Sequence, residues 1–392
     1  MRFIERTNKQ IDELVKLAWD SLTTHEDDVF LIAEQDGDSS KLISDTDKLS
    51  ELSQNDGEQQ NVQCNEIGTP QRMERPNRLH PPPVVAVDAG VISLGDLAKG
   101  GTVFAVRGSA CLYTPEGEVI VLRYNTGAIA IDNENKLKVL HFVGKVLDDE
   151  QFFVKVLSEP PYFQEKQGVL STSNQVQDRI RNFVERVIQA EAVSILSNYG
   201  GGILLIDGAL PARTFDTPPK YISDMLDFCN KNRIDVAAIS KKTRITVKGI
   251  PIQNLFDEKY GSDFVGYVAL KNIVEHERRS DKKSGINVRI KITVAKEMFA
   301  ARFGFGELSL TFRVDVNNCR GKTAEQVIND IYNYCFIYGG YPKPLIEAHQ
   351  NSCFLFQDFQ SLVAQATVYL GAKPQEQPTM ETIFQPFGAF GK

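Results

Sequence analysis

The chain has 392 residues, 42% apolar and 24% charged, the profile of a globular protein with room for one large domain or two ordinary ones. No apolar run of about 18 residues occurs, which excludes a membrane-spanning helix. The stretch from Met1 to Arg6 lacks a signal-peptide core, so the expected compartment is the cytoplasm. Six cysteines (64, 111, 229, 319, 335 and 353) show no Cys-x-x-Cys spacing, which argues against a zinc ribbon or a disulfide framework. The net charge of −7 divides unevenly. Residues 1–80 hold 9 Lys+Arg against 17 Asp+Glu, and the remaining residues hold 35 against 34. The body is therefore near neutral, and any polyanionic partner must be sought in local basic clusters.

Ile11, Leu14, Val15, Leu17 and Ala18 form a helix-like stripe within residues 5–21. Residues 35–62, rich in Ser, Asp, Gln, Asn and Glu, read as a disordered acidic linker. Together these give an N-terminal helical and acidic arm over 1–80. The prolines Pro81 to Pro83 make a stiff entry into a body spanning 81–392. VVAVDAG (84–90) reads as a buried strand ending in Asp88 and a tight turn. Strands are predicted at 102–113, 118–124 and 138–147, then a helix at 174–198 that stops before Gly200 to Gly202. ILLIDGA (203–209) is a second buried strand ending in Asp-Gly. Helix 220–231, strand 234–239, a basic loop at 240–248, strands 264–273, 286–296 and 307–316, and helices 322–334 and 343–366 complete the chain. Three strands followed by helix, strand, helix, strand predict an α/β fold: a mixed sheet flanked by helices, in the order of a ribonuclease H-like core.

On the 174–198 helix, with Ile180 at zero and about 100° per residue, Val184, Val187 and Ile195 share one apolar face, and Glu191 falls inside it at about 20°. Glu185 falls at about 140°, on the side assigned to solvent. A carboxylate on a core-facing stripe needs a positive partner. That partner is either a buried Arg or Lys or a metal ion, and the metal is preferred because Asp88 and Asp207 converge with it. Both end apolar strands, and Glu191 and Asp207 lie at similar heights on either side of the glycine turn. Three hard oxygen ligands suit Mn²⁺ or Mg²⁺ and phosphodiester hydrolysis. Dinucleotide and Walker phosphate loops are absent. The segment from Tyr341 to His349 opens a helix with its prolines in the first turn. Leu345, His349, Cys353 and Phe356 share a face of it, so His349 points inward.

VVAVDAG, the helix with Glu191, LLIDGAL, Ala238-Ile239-Ser240-Lys241 and Tyr-Pro-x-Pro-Leu-x-x-Ala-His together resemble the NurA nuclease family over residues 84–360. The resemblance implies a Mn²⁺-dependent nuclease with 5′-to-3′ exonuclease and single-strand endonuclease activity. It also implies a homodimer docked on a HerA-type hexameric DNA translocase in end resection and repair. Asp88, Glu191 and Asp207 would be the metal-binding acids. His349 would be a further ligand or would orient water or phosphate, Tyr341 would contact substrate, and Lys241 would bind phosphate. Where the family shows Asp-Gly-Ser, this chain has Asp88-Ala89-Gly90.

Two basic clusters are candidate DNA contacts: Lys241, Lys242, Arg244 and Lys248, then Arg278, Arg279, Lys282 and Lys283. Phe299, Phe303 and Phe305 read as core in preference to a base-stacking platform. Two competing readings remain. One is an actin- or sugar-kinase-like phosphotransferase, for which Val91-Ile92-Ser93 makes a poor phosphate turn. The other is a non-catalytic scaffold that binds a translocase.

Overall fold

The computed structural model describes residues 1–22, 30–32, 62–73, 81–97, 101–147, 173–210, 219–243, 245–274, 293–306, 309–319, 321–335 and 338–370. The strands are β1 (Arg2–Arg6), β2 (Phe30–Ile32), β3 (Val62–Ile67), β4 (Gln71–Arg72), β5 (Val84–Leu97), β6 (Gly101–Tyr113) and β7 (Val119–Asp132). They continue as β8 (Gly202–Asp207), β9 (Ile234–Ser240), β10 (Ile245–Val247), β11 (Ile250–Pro251), β12 (Gly266–Val274), β13 (Glu297–Arg302) and β14 (Thr311–Asn317). The helices are α1 (Lys9–Asp20), α2 (Lys136–Val146), α3 (Ser173–Asn198), α4 (Pro219–Lys231), α5 (Leu255–Lys259), α6 (Ala324–Tyr332), α7 (Lys343–Ser352) and α8 (Phe356–Leu370).

The strands join in one mixed sheet, in the order β1-β7-β6-β5-β8-β9-β14-β13-β12-β3-β10-β11, with β2 on β5 and β4 on β12. β5, β8 and β9 run parallel at its centre. Strand alternation sorts the side chains between two layers. Val85, Val87, Leu204 and Ile206 pack with α1, α2, α3 and α4. Val84, Ala86, Ile203 and Leu205 pack on the other face with α6 and α7. A smaller core gathers β3, β10, β12 and α5. Among the described residues no helix is long and apolar enough to cross a membrane.

The N-terminal segment is not a separate arm where it is described. β1 pairs in parallel with β7, and α1 buries Ile11, Leu14 and Ala18 in the main core. β3 pairs with β12 and β10. The stripe on α1 therefore covers sheet, and packing does not divide at residue 80. The expected linker lies outside the described residues except at Val62.

The strand expected at 286–296 lies outside the described residues up to 292, and 293–296 are not strand. Three further expectations change. Residues 138–147 fall in α2 and its C-cap: Val139, Leu140, Val143 and Leu147 line one helix face in the core, and a short apolar run has no period of its own to distinguish helix from strand. The strand at Asp88 does not turn but continues to Leu97, paired with β6 from Val84 to Asp96 around a bulge between Ser93 and Gly95. The long C-terminal helix breaks at Cys353, which is extended (φ −71°, ψ 152°). Arg107 sets that break: its guanidinium donates to the Cys353 carbonyl at 3.0 Å and to Asp358 at 2.9 Å, and Asp358 accepts from the Leu355 amide at 2.8 Å.

Candidate active site

Asp88 and Asp207 owe their proximity to register. β5 and β8 pair from Val84–Ile203 to Val87–Ile206. The next residues along are Asp88 and Asp207, on the face that Val84, Ala86, Ile203 and Leu205 share. Neighbouring strands lie about 4.8 Å apart, so the two carboxylates stand side by side. β8 stops there while β5 runs on, which opens a crevice at the carboxyl end of the parallel strands.

α7 closes one side of this crevice. His349 Nδ1 lies 2.7 Å from Asp88 Oδ2, and the Ser352 hydroxyl donates to the same oxygen at 3.3 Å. The approach depends on Gly90, where a Cβ would sit 2.5 Å from the Ser352 carbonyl oxygen. The hydrogen bond to Asp88 is the main cause that pushes the His349 imidazole up to about 10, with Cys353 adding to it and burial opposing it. His349 is thus an imidazolium paired with Asp88 at neutral pH.

β9 supplies the other side. Asp207 pairs with Ile239, and two residues on Lys241 donates to Asp207 Oδ2 at 3.1 Å. The Lys241 ammonium also lies 4.5 Å from the centroid of the Tyr341 ring, within cation–π range. Tyr341 is buried, and its hydroxyl has no hydrogen-bond partner among the described residues. Burial first, and the Asp207 charge second, hold this phenol well above its ordinary value.

The structure brings together Asp88, Asp207, Tyr341, His349 and Lys241. It does not bring Glu191 to them. Glu191 accepts from Arg6 at 2.9 Å and from Asn8 at 3.3 Å. Ala89, Gly108, Tyr124 and Arg6 stand in one row across β5, β6, β7 and β1. Arg6 is therefore three strands from β5, about 14 Å across the sheet. Helix phase put Glu191 over the sheet but could not say over which strand, and the partner is an arginine from the N-terminal strand.

Glu185 is the α3 carboxylate coupled to the crevice. It is buried, although its helix phase assigned it to solvent, because α4 covers that flank: the Tyr221 hydroxyl donates to the Arg186 carbonyl at 2.7 Å. Gln189 donates to Glu185 at 2.9 Å, and Arg186 and Arg181 stand 3.7 and 3.9 Å away. Burial raises its carboxyl above the usual range, the two arginines oppose that, and the charges of Asp88 and Asp207 add to it. Sequence reasoning also missed Ser352. The only signal for it was its place one turn after His349.

Among the described residues no three His, Cys, Asp or Glu side chains form a ready metal cage. The donor set nevertheless suits a divalent cation. Two adjacent carboxylates are each neutralised here by a side-chain cation, His349 and Lys241, and the orphaned Tyr341 hydroxyl lies beside them. Lys242 is exposed next to Lys241, and Lys248 caps the β10–β11 turn at φ 52°. Arg244, Arg278, Arg279, Lys282 and Lys283 lie outside the described residues.

No protein-family model and no curated protein sequence matches the chain. Among solved structures it is similar to a NurA nuclease from Sulfolobus solfataricus, at a TM-score of 0.47 and 15% identity, over 86% of this chain and 98% of that one. It is also similar to a NurA bound to dAMP and manganese, at a TM-score of 0.35 and 11% identity, over 87% and 95%. A NurA with manganese follows at a TM-score of 0.33 and 12% identity, over 82% and 96%.

Proposed function

We propose that the chain is a divalent-metal-dependent DNA nuclease with a ribonuclease H-like core, of the NurA type its sequence resembles. The observation that carries this reading is the register that sets Asp88 beside Asp207, with His349, Tyr341 and Lys241 around them. Asp88 and Asp207 would hold Mn²⁺ or Mg²⁺, with Glu185 as the third acid in place of Glu191 and His349 at the rim. The ion, when bound, polarises a phosphoryl oxygen and lowers the pKa of a coordinated water.

The side chains supply the rest. Lys241, steadied by the Tyr341 ring, moves from Asp207 to a substrate phosphate oxygen. His349 keeps Nδ1 on Asp88 and offers Nε2 to water or to a phosphate oxygen. Ser352 holds Asp88 in place. Lys242, Arg244, Arg278 and Arg279 would track the DNA backbone. The wider reading follows the same resemblance: 5′-to-3′ exonuclease and single-strand endonuclease activity, a homodimer, a HerA-type translocase partner and a cytoplasmic setting.

The test is cleavage of end-labelled single- and double-stranded DNA with Mn²⁺, Mg²⁺ or EDTA, beside Asp88→Ala, Glu185→Ala and Glu191→Ala. Metal-dependent cleavage is expected, lost in the first two variants and kept in the third. Loss in Glu191→Ala with retention in Glu185→Ala would reverse the choice of third acid. No cleavage with any metal, alone or with a HerA-type translocase, would sink the nuclease reading and favour the phosphotransferase or the scaffold.

A further inference from the structure

The hairpin β13–β14 rises at the same end of the sheet as the crevice. β14 pairs with β9 so that Arg313 stands opposite Ser240, and Thr311 begins the strand two residues nearer the tip. Two phenylalanines of this hairpin have opposite fates. Phe303 is 2% exposed and stacks on Phe312 at 6.2 Å, and Phe312 packs on Tyr341 at 5.3 Å. Phe305 is 79% exposed. Among the described residues no ring contact or cation–π contact uses it.

The backbone beneath Phe305 is held tightly to the site. Gly340, in the left-handed region at φ 90°, lies so close to Gly304 that a Cβ there would collide with the Gly304 nitrogen and sit 3.0 Å from its Cα. A Cβ on Gly304 would meet the Gly339 carbonyl carbon at 3.1 Å, and the Leu310 amide donates to the Gly339 carbonyl at 3.1 Å. Gly340 leads directly into Tyr341. One peptide step on each side of this contact puts Phe305 within about 12 Å of Tyr341. At about 3.4 Å per nucleotide of a duplex strand, that is a few nucleotides from the crevice.

We propose that Phe305 is the stacking platform for an unpaired base of the DNA strand whose phosphate enters the Asp88–Asp207 crevice. This rests on the nuclease reading and names the strand state that the site prefers. Every base offers a π-face, so such a platform is tolerant of sequence. A base inside a duplex is already stacked and gains nothing from it. The exposed Lys241 and Lys242 supply the backbone attraction alongside, and the glycine clamp holds the backbone next to the ring against the segment that leads into Tyr341.

The experiment is fluorescence-anisotropy titration of the full chain in EDTA with labelled oligo(dT). The same oligomer carrying one abasic site walked along the strand, and a duplex of equal length, serve as comparison. The proteins are wild type, Phe305→Ala and Phe305→Tyr. Phe305→Ala is expected to weaken single-strand binding about 5- to 100-fold, with duplex binding and melting temperature unchanged and Phe305→Tyr close to wild type. One abasic position should weaken wild type and leave Phe305→Ala indifferent. Wild-type affinity for single strands in Phe305→Ala would overturn the proposal and leave the nuclease reading standing, and would assign the exposed ring to a protein contact. Equal loss on single and double strands, or a drop in melting temperature, would also overturn it. A wild-type protein that neither binds nor cleaves DNA would overturn both.

Discussion

The two ends of the central parallel strands carry carboxylates in opposite circumstances. At the entry end of β9, Asp235 is fully buried and fully used: it accepts from the Cys319 amide at 2.7 Å and from Lys322 at 3.0 Å, and Lys322 also reaches Asp330 at 3.3 Å. Burial opposes the Lys322 charge, but the two aspartates outweigh it and hold this ammonium above its ordinary value. At the exit end, Asp88 and Asp207 border a crevice, and their cations stand on side chains that are 33% and 45% exposed. Buried charges saturated by their own chain fix a fold. Charges half-satisfied by movable partners at a crevice can exchange those partners for a ligand.

Paired substitutions would break this comparison if it is wrong. Asp88→Asn should lower cleavage by the folded protein about a thousandfold, because removing one preorganised electrostatic element costs that much in rate. Lys322→Met should act on stability instead. It removes the cation that two buried carboxylates share and should cost about 3 kcal/mol in urea unfolding, with cleavage by the folded protein retained. A Lys322 variant that is stable but inactive would erase the distinction.

The two glutamates of α3 sharpen it further. Glu185→Gln keeps the Gln189 contact but removes the charge that feels Asp88 and Asp207, and cleavage should fall about 10- to 100-fold. Glu191→Gln loses an ion pair with Arg6, whose side chain is 47% exposed, and should cost less than about 1 kcal/mol of stability with cleavage intact. The smallest effect concerns acid. Hydrogen bonding from Arg107 holds the Asp358 carboxyl below its ordinary value against the opposing effect of burial. A depressed folded-state pKa contributes stability above the unfolded value of about 3.9 and loses it as pH falls through the folded one. Melting of wild type and Asp358→Asn should therefore differ at pH 6, and the difference should shrink as pH falls below about 3.9.

Much of the crevice was legible in the chain. Asp88 and Asp207 each follow four buried apolar residues, and that pattern alone puts an acid at the same step of two central strands. His349 was legible from its inward phase on α7. Tyr341 and Lys241 came through the sequence's resemblance to the NurA family. Glu185 was not legible, because its flank of α3 looks polar in sequence and becomes interior only when α4 packs over it. Glu191 misled for the complementary reason: its phase on α3 is core-facing, but the cation it meets is Arg6 of β1, brought there from the start of the chain. Phe305 shares its glycine-rich segment with the buried Phe303, and only the contact with Gly339 and Gly340 separates the two.

Local pattern therefore determined which residues alternate, which faces are apolar, and where an apolar strand stops at an acid, since each of these depends on neighbours within a few positions. Tertiary structure alone decided which strand lies under each helix and whether residues 136–146 coil. It also decided that Arg107 breaks the last helix at Cys353 and that a cation from the first six residues neutralises Glu191. Those outcomes depend on contacts between residues far apart in the chain, and a carboxylate's role is set by whichever charge the fold delivers to it.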